Sequence, residues 1–168
     1  MEIASKLPEI VTPRLRLRPF RADDLPAFVA YRSAAEVARY QSWDQTYSMA
    51  DAERLLASQE GVAFGQPGVW IQVAATERDR HALLGDCAVH VVAEQPATAE
   101  VGVTFAPEHQ GRGLASEALA AVTGRLFEDH GLHRIYAQAD DRNVAVHEWA
   151  TLRVYGLLRR EWDAARGP

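Results

Sequence analysis

Alternating apolar and polar positions predict several β-strands. Leu15 and Leu17 share one face of a short run whose other face carries arginines, which is the period-two pattern of a half-exposed strand. Residues 69–76 and 83–93 are predicted as two further strands. They are separated by a short polar turn, ERDR being its first part, and this arrangement indicates an antiparallel hairpin. In EVGVTF, residues 100–105, the apolar side chains alternate with polar ones or glycine, so a strand is predicted here as well.

Helical spacing and capping residues predict the helices. Asp23 or Asp24 can cap a first helix. Ser48 and Asp51 form an acidic capping box ahead of a second helix. The longest helix is predicted from about Ala115 to His130, and the glycine that follows should end it in the left-handed conformation.

The order of these elements predicts an α/β fold. A strand and helices precede three antiparallel strands, and a long helix then leads to another strand at residues 135–139. Hairpins combined with one strand–helix–strand crossover give a mixed, mostly antiparallel sheet flanked by helices. Because no repeat or linker interrupts the pattern, we expect residues 1–168 to form a single domain.

Composition narrows the possible functions. The net charge of −5 argues against a nucleic-acid partner and suits a cationic or amine-bearing one. Cys87 is the only cysteine, so no internal disulfide can form, and it has no activating neighbour in sequence. No apolar run is long enough to span a membrane, and the N-terminus lacks the blocks of a signal peptide. We therefore expect a cytoplasmic protein with no membrane partner.

The stretch PEHQGRGLASEAL, residues 107–119, places a glycine-rich loop directly before the long helix. A helix start carries unsatisfied N–H groups and a partial positive charge, and Gly111 and Gly113 let successive N–H groups turn toward one point. The loop could therefore bind a pyrophosphate, or it could be only a tight turn. It lacks the Gly-Lys-Ser/Thr of a P-loop and fits the dinucleotide fingerprint poorly.

The run QGRGLA, residues 110–115, matches the Q/R-x-x-G-x-G/A signature of the GNAT superfamily of acyl-CoA-dependent N-acyltransferases. The wider run AEVGVTFAPEHQGRGLASEALAAVTGRLFEDHGLHRIYAQADDRN resembles the RimJ/RimL-type branch, which acetylates amino groups including protein N-termini. The opening TPRLRLRPFRADDLPAFVAYRSAAEVARYQSWD is similar to that branch's first strand and helices. The resemblance covers about residues 10–147 and implies a GNAT-like fold.

The resemblance implies acetyl-CoA as co-substrate. No metal is expected, because the six histidines show no metal-binding spacing. Backbone amides of the loop, with the helix start, would bind the pyrophosphate, and these residues are Gln110, Gly111, Arg112, Gly113, Leu114, Ala115 and Ser116. The strand edge at Val103 and Phe105 would pair with the pantetheine arm as an added strand does. A backbone N–H near Phe105 would polarise the thioester carbonyl. Asn143 matches an asparagine that the family often uses on the cofactor.

The reaction that the resemblance implies is direct attack of a neutral amine on the acetyl thioester. A base is needed because most amines are protonated at neutral pH. Glu100 is the first candidate, since it lies opposite the apolar face of its strand and near the expected acetyl group, where a partly dry cleft would raise its pKa. A solvated glutamate is the alternative interpretation. His90, Asp140 and Asp141 are weaker candidates for the base.

The resemblance breaks after Asn143. The relatives continue with another helix and strand, whereas here VAVH is followed at once by EWATLRVYGLLRREW, which resembles the family's last strand and closing helix. About twenty residues are missing between His147 and Glu148 compared with the family pattern. Either the chain omits a segment there or the protein lacks it. We expect the first, with a Cα separation across 147–148 well beyond the roughly 3.8 Å of a peptide bond. The family's tyrosine general acid comes from this region, so Tyr155 receives no role.

Several alternatives stay open at this point. The acceptor could be a protein N-terminus or a small molecule such as an aminoglycoside or a polyamine, and the protein could be a monomer or a homodimer. A non-catalytic CoA sensor would keep the glycine loop without using Glu100. Trp43 and Tyr40 either line the acceptor pocket or pack structurally. The basic run RLRLRPFR, residues 14–21, could contact phosphate, but we interpret it as a solvated strand face.

Overall fold

The computed structural model describes residues 9–95, 97–140 and 152–167. Within these ranges a seven-stranded sheet forms the centre of the molecule, and its strands lie in chain order from one edge to the other. The strands are β1 Ile10–Val11, β2 Leu15–Pro19, β3 Trp70–Glu77, β4 Leu83–Val91, β5 Thr98–Phe105, β6 Arg134–Asp140 and β7 Leu152–Leu158. β5 and β6 run parallel, and every other neighbouring pair is antiparallel. The predicted mixed, mostly antiparallel sheet is confirmed.

Helices flank this sheet. They are α1 Leu25–Arg32, α2 Ala35–Ala38, α3 Met49–Ser58, α4 Leu114–His130 and α5 Arg159–Arg166. α1, α2 and α3 connect β2 to β3, and α4 crosses from β5 to β6. A crossover is required there because two parallel neighbours cannot be joined by a hairpin.

The main core lies between α4 and one face of the sheet. Every second residue of the central strands points into it, as the period of two requires. In β5 the buried residues of this core are Ala99, Val101 and Phe105. In α4 they are Leu114, Ala118, Val122, Leu126 and Phe127. Glu100, Gly102 and Thr104 consequently lie on the opposite face of β5.

A second, smaller cluster lies on that opposite face, where α1 and α3 pack together. Its buried members are Leu25, Phe28, Tyr31, Ala52 and Ala106. The part of this face around Ala88, Glu100 and Gly102 is only partly buried. A patch of sheet with small side chains at its centre is therefore left partly open.

The arginines of β2 differ from the prediction. Arg18 is 2% exposed and forms a buried ion pair with Asp24, with guanidinium–carboxylate distances of 2.7 and 2.8 Å. Asp24 also accepts a hydrogen bond from the backbone N–H of Arg21. The carboxylate therefore does not cap α1, contrary to expectation, because it is used by Arg18 and Arg21. The interpretation of this strand face as wholly solvated is wrong at Arg18.

Other local predictions are confirmed. Ser48 and Asp51 form the capping box of α3, and Gly131 ends α4 with a φ of +59°. The expected order of last strand and closing helix is found in the C-terminal run, where β7 continues to Leu158 and α5 begins at Arg159. The expected break at 147–148 lies outside the described residues. No helix in the described ranges has the length and apolar content that a bilayer span requires.

Candidate active site

The loop between β5 and α4 presents a run of open backbone donors. Gly111 and Gly113 have φ values of +70° and +75°, which side chains disfavour. In the described part of the chain, no N–H from Gly111 to Ser116 donates a hydrogen bond. The first bond in the helix runs from the Glu117 N–H to the Gly113 carbonyl oxygen, at 3.1 Å. No side chain among the described residues caps α4. Open N–H groups at the positive end of a helix dipole can bind an anion.

Gln110 holds this loop in place through two hydrogen bonds. Its backbone N–H donates to the Pro107 carbonyl oxygen at 3.2 Å, and its side-chain amide donates to the Phe105 carbonyl oxygen at 2.9 Å. The run of open amides therefore begins at Gly111, one residue later than the sequence suggested. Gln110 ties the loop to the end of β5.

A gap opens between β5 and β6. Their parallel pairing ends at Glu100 and Tyr136, although β5 continues to Phe105 and β6 to Asp140. Among the described strands, only β7 pairs with this last part of β6. Because the glycine loop follows the end of β5 closely, the gap and the open amides lie along one continuous path.

Two residues of β5 turn their main-chain groups into this gap. The Ala106 N–H donates to the carbonyl oxygen of Leu84, a residue of β4, at 3.0 Å. Hydrogen-bonding direction alternates along an antiparallel ladder, so Val103 and Phe105 direct their N–H and C=O groups away from β4. The Phe105 carbonyl is taken by Gln110. Both main-chain groups of Val103 and the N–H of Phe105 face the gap.

The Phe105 side chain lies in the core. It is 4% exposed and packs closely over Gly85 on β4, where a Cβ would come within 2.6 Å of the Phe105 ring. Glycine at position 85 therefore permits this ring position. Only the main chain of Phe105 can face the gap.

A row of four side chains crosses the opposite face of the sheet. The strand registers pair Trp70 with His90, His90 with Glu100, and Glu100 with Tyr136. Trp70 and His90 stack with ring centroids 5.0 Å apart, and Trp70 is 42% exposed. The Tyr136 hydroxyl donates to Oε2 of Glu100 at 3.2 Å. The row brings a carboxylate, a phenol and a flat aromatic surface to the end of the gap.

Tyr136 is a residue that the sequence reasoning missed. Partial desolvation raises its pKa, and the negative charge of Glu100 and the hydrogen bond to it raise the pKa further. The phenol therefore keeps its proton and continues to hold the Glu100 carboxylate. The alternation in RIYAQAD places Tyr136 opposite Ile135, but the register between β5 and β6 was needed to pair it with Glu100.

On the same face of the sheet as this row, toward the other end of β4, a buried polar cluster surrounds Asp86. Asp86 is 1% exposed and accepts hydrogen bonds from the Tyr31 hydroxyl and, at 2.9 Å, from the Gln72 amide. The Arg32 guanidinium lies 3.5 Å from its Oδ2. Burial raises the pKa of Asp86, although Arg32 and the hydrogen bonds oppose that shift. The cluster fastens α1 to the sheet.

The remaining candidate residues have other environments. Trp43 lies 3.8 Å from the Arg32 guanidinium and donates its indole N–H to the Arg32 carbonyl oxygen, which favours the packing interpretation. Cys87 is fully buried, and burial raises the pKa of its thiol well above the ordinary value, so it is unreactive. Asn143 and Asp141 lie outside the described residues. Asp140 ends β6. The described residues contain no cluster that could hold a metal ion.

Comparison with known proteins adds independent information. A family model described as an acetyltransferase (GNAT) domain matches residues 14–150. The uncharacterized N-acetyltransferase YoaA of Bacillus subtilis (strain 168) is 33% identical over 138 residues, covering 82% of this chain and 77% of YoaA.

Solved structures share the fold. Spermidine N-acetyltransferase from Vibrio cholerae, in complex with CoA and spermine, superimposes with a TM-score of 0.74 at 16% identity. The match covers 90% of this chain and 99% of that one. RimJ from Mycobacterium smegmatis, in complex with CoA-disulfide, has a TM-score of 0.70 at 17% identity, covering 90% and 89%.

The family match includes the glycine loop, the gap and the Glu100 row, and the curated relatives are named N-acetyltransferases. The alternative of a non-catalytic sensor is set aside on these grounds. The chain belongs to the GNAT family of acetyltransferases.

Proposed function

We propose that this enzyme transfers the acetyl group of acetyl-CoA to a primary amine by direct attack, with residues 1–168 forming one N-acetyltransferase domain. One observation carries the proposal. Three features follow one another along β5 and the loop after it. From the loop toward the start of the strand, they are the open amides, the gap beside Val103 and Phe105, and the Glu100 carboxylate. A cofactor with a pyrophosphate, an extended amide arm and a thioester has its parts in the same order.

The glycine loop would hold the cofactor. The backbone N–H groups from Gly111 to Ser116 would donate to the pyrophosphate, and the exposed Arg112 would add charge at the rim. The Phe105 N–H and the Val103 carbonyl would pair with the amides of the pantetheine arm, as an added strand pairs with a sheet edge. Asn143, beyond β6, would contact the cofactor as the resemblance to the family implies.

Glu100 would act as the base. A protonated amine must lose a proton before it attacks, and Glu100 would take that proton directly or through a water molecule. The amine nitrogen then bonds to the thioester carbon, while the Val103 N–H, the open donor of β5 nearer to Glu100, stabilises the negative charge on the carbonyl oxygen in place of the Phe105 N–H that the sequence suggested. The carbon–sulfur bond breaks, and the sulfur takes up the second proton that the nitrogen must lose, so that CoA leaves as the free thiol. Tyr136 would hold the carboxylate in position throughout.

The acceptor that we would test first is a protein N-terminus, and the second is a polyamine. The resemblance of the sequence to the RimJ/RimL-type branch supports the first, as does the structural likeness to RimJ. The likeness to a spermidine N-acetyltransferase supports the second. In either case, the exposed face of Trp70 offers a cation–π contact beside Glu100.

The test combines calorimetry with mass spectrometry. CoA is titrated into the protein, which is then incubated with isotope-labelled acetyl-CoA and a panel of N-terminal peptides, polyamines and aminoglycosides. We expect measurable CoA binding and labelled acetyl groups on at least one amine class. Binding without any acetylated product across the panel would contradict the proposed transfer, and absence of CoA binding would contradict the role of the loop.

A further inference from the structure

Arg14, just before β2, contacts the glycine loop from outside. Its Nη1 donates to the carbonyl oxygen of Arg112 at 2.7 Å, and its Nε donates to Oε2 of Glu117 at 2.6 Å. Its Nη2 lies 3.4 Å from the position that a Cβ on Gly113 would occupy. One guanidinium thus bridges the loop and the first turn of α4.

Glu117 receives two further hydrogen bonds from the same segment. The Thr12 hydroxyl and the Arg14 backbone N–H donate to its Oε1 at 2.5 and 2.9 Å. The Glu117 side chain is only 15% exposed, whereas the Arg14 side chain is 49% exposed. Partial burial raises the pKa of Glu117, but the hydrogen bonds and the charge of Arg14 outweigh that effect and lower it overall. The carboxylate is therefore ionised and fixed.

The contact with the Arg112 carbonyl also orients an amide. The C=O and N–H of one trans peptide point in opposite directions, because the unit is planar. Arg14 draws the Arg112 oxygen toward itself, so the N–H of Gly113 in the same peptide is held pointing away from Arg14. This N–H is one of the open donors of the loop.

Charge gives the contact a second effect. Glu117 places a carboxylate in the first turn of α4, beside the site proposed for a pyrophosphate. Two anions close together repel each other. The Arg14 guanidinium compensates the Glu117 charge from the side facing β2, so that the helix end keeps its attraction for an anion.

We propose that Arg14 and Glu117 are positioning residues that hold the glycine loop in its pyrophosphate-binding form. This inference rests on the proposed function, because it assumes that the loop binds the cofactor phosphates. The arginines of the basic run at residues 14–21 therefore have different roles. Arg14 supports the loop, and Arg18 is buried with Asp24.

Arg16 provides a matched control. It lies two residues from Arg14 on the same segment, forms an ion pair with Glu9 at 3.0 Å and donates to the Arg78 carbonyl oxygen at 3.0 Å. It has no contact with the loop among the described residues. The variants Arg14→Met and Arg16→Met therefore remove the same charge and nearly the same surface polarity.

The experiment compares two acetyl donors. Acetyl-CoA carries the phosphates, whereas S-acetylpantetheine has the thioester and the amide arm without them. For Arg14→Met we expect the Kd for CoA to rise about tenfold, as for the loss of one charge-assisted hydrogen bond. We expect kcat/KM to fall by a similar factor with acetyl-CoA and to stay unchanged with S-acetylpantetheine. Arg16→Met should resemble the wild type with both donors.

The outcomes separate the two proposals. If the wild type binds CoA and Arg14→Met binds it equally well, the positioning role is wrong while the proposed function stands. Equal losses with both donors would also overturn the positioning role, because they would indicate a general structural effect. Should Arg14→Met fail to fold, Arg14→Lys keeps the charge but cannot bridge Arg112 and Glu117 in the same way. An unchanged Kd for CoA in Arg14→Lys would then overturn the role.

Discussion

The two sides of the candidate site are built from different parts of the chain. On the cofactor side, the groups that face the proposed ligand are main-chain amides of Val103, Phe105 and the loop from Gly111 to Ser116. On the acceptor side, they are side chains from neighbouring strands, with Glu100 and Tyr136 at the centre. A main-chain site depends on backbone conformation, whereas a side-chain site depends on which residues the strand register brings together.

The same contrast holds for what supports each side. The cofactor side rests on an apolar core beneath α4 and is tied down by Arg14 and Glu117 near the surface. The buried Asp86 cluster lies beside the acceptor side, on the same face of the sheet. Loss of the Asp86 cluster should therefore cost folding stability, whereas loss of the link between Arg14 and Glu117 should act mainly on CoA affinity.

The largest effect should follow removal of the Asp86 carboxylate. Asp86→Ala leaves the buried Tyr31 hydroxyl, Gln72 amide and Arg32 guanidinium without their acceptor. Breaking a buried polar cluster in this way should lower the free energy of unfolding by about 3–5 kcal/mol. Urea denaturation measures the change.

Asp79→Ala is the control for this prediction, because the Asp79 side chain is 89% exposed. It should change stability by less than about 0.5 kcal/mol. Equal stability of the two variants would mean that the Asp86 cluster does not support the acceptor side.

Glu100→Gln should affect the reaction and not cofactor binding. The amide keeps a similar shape but cannot accept a proton from the amine, so kcat should fall about a hundredfold or more. The Kd for CoA should stay within about twofold of the wild type, since the loop amides are untouched. Steady-state kinetics and calorimetry measure the two quantities. Glu94→Gln, in the exposed turn after β4, is the control. A kcat within threefold of the wild type would remove Glu100 from the role of base.

Gly113→Val should affect the cofactor side alone. A β-branched residue at a φ of +75° is strained by about 1–3 kcal/mol, which the loop can relieve only by changing conformation. We expect the Kd for CoA to rise about tenfold. Gly61→Val introduces the same kind of strain at a φ of +73° in the turn after α3, where no atom crowds the Cβ. If both variants weaken CoA binding equally, the effect comes from strain and not from the loop.

The smallest expected effect concerns how the free energy of unfolding depends on acidic pH through the contacts of Thr12 and Arg14 with Glu117 of α4. The folded state holds the pKa of Glu117 below its ordinary value, despite partial burial, through bonds from Thr12 and Arg14. Such a carboxyl stabilises the fold above its unfolded pKa of about 4.3, and the contribution is lost as pH falls through the lower folded value. Glu117→Gln should therefore flatten the acid side of the stability curve, by less than about 1 kcal/mol.

Denaturation midpoints between pH 3 and pH 7 test this, with the exposed Glu108→Gln as the control. The same acid dependence in Glu117→Gln and in the wild type would show that the carboxylate adds nothing to stability.

The comparison between the two sides also explains what could be predicted. Helix ends at Ser48 and Gly131 and the glycine loop at Gly111 and Gly113 were predictable, because capping and left-handed turns depend on a few adjacent residues. Arg18 was misjudged as solvated, since only the packing of Asp24 against it reveals the buried pair. Proximity in sequence carried no information about that contact.

The sequence by itself determined the alternation of strands and helices, the position of the glycine-rich loop and the face of β5 that carries Glu100. These features follow from local periodicity and from the conformations that glycine permits. The tertiary structure alone decided that β5 and β6 separate after Glu100, that Tyr136 donates to Glu100, and that Arg14 bridges the loop to Glu117. Strand register and long-range contacts join residues far apart in the chain, and the energy that selects them comes from packing the whole sheet against its helices.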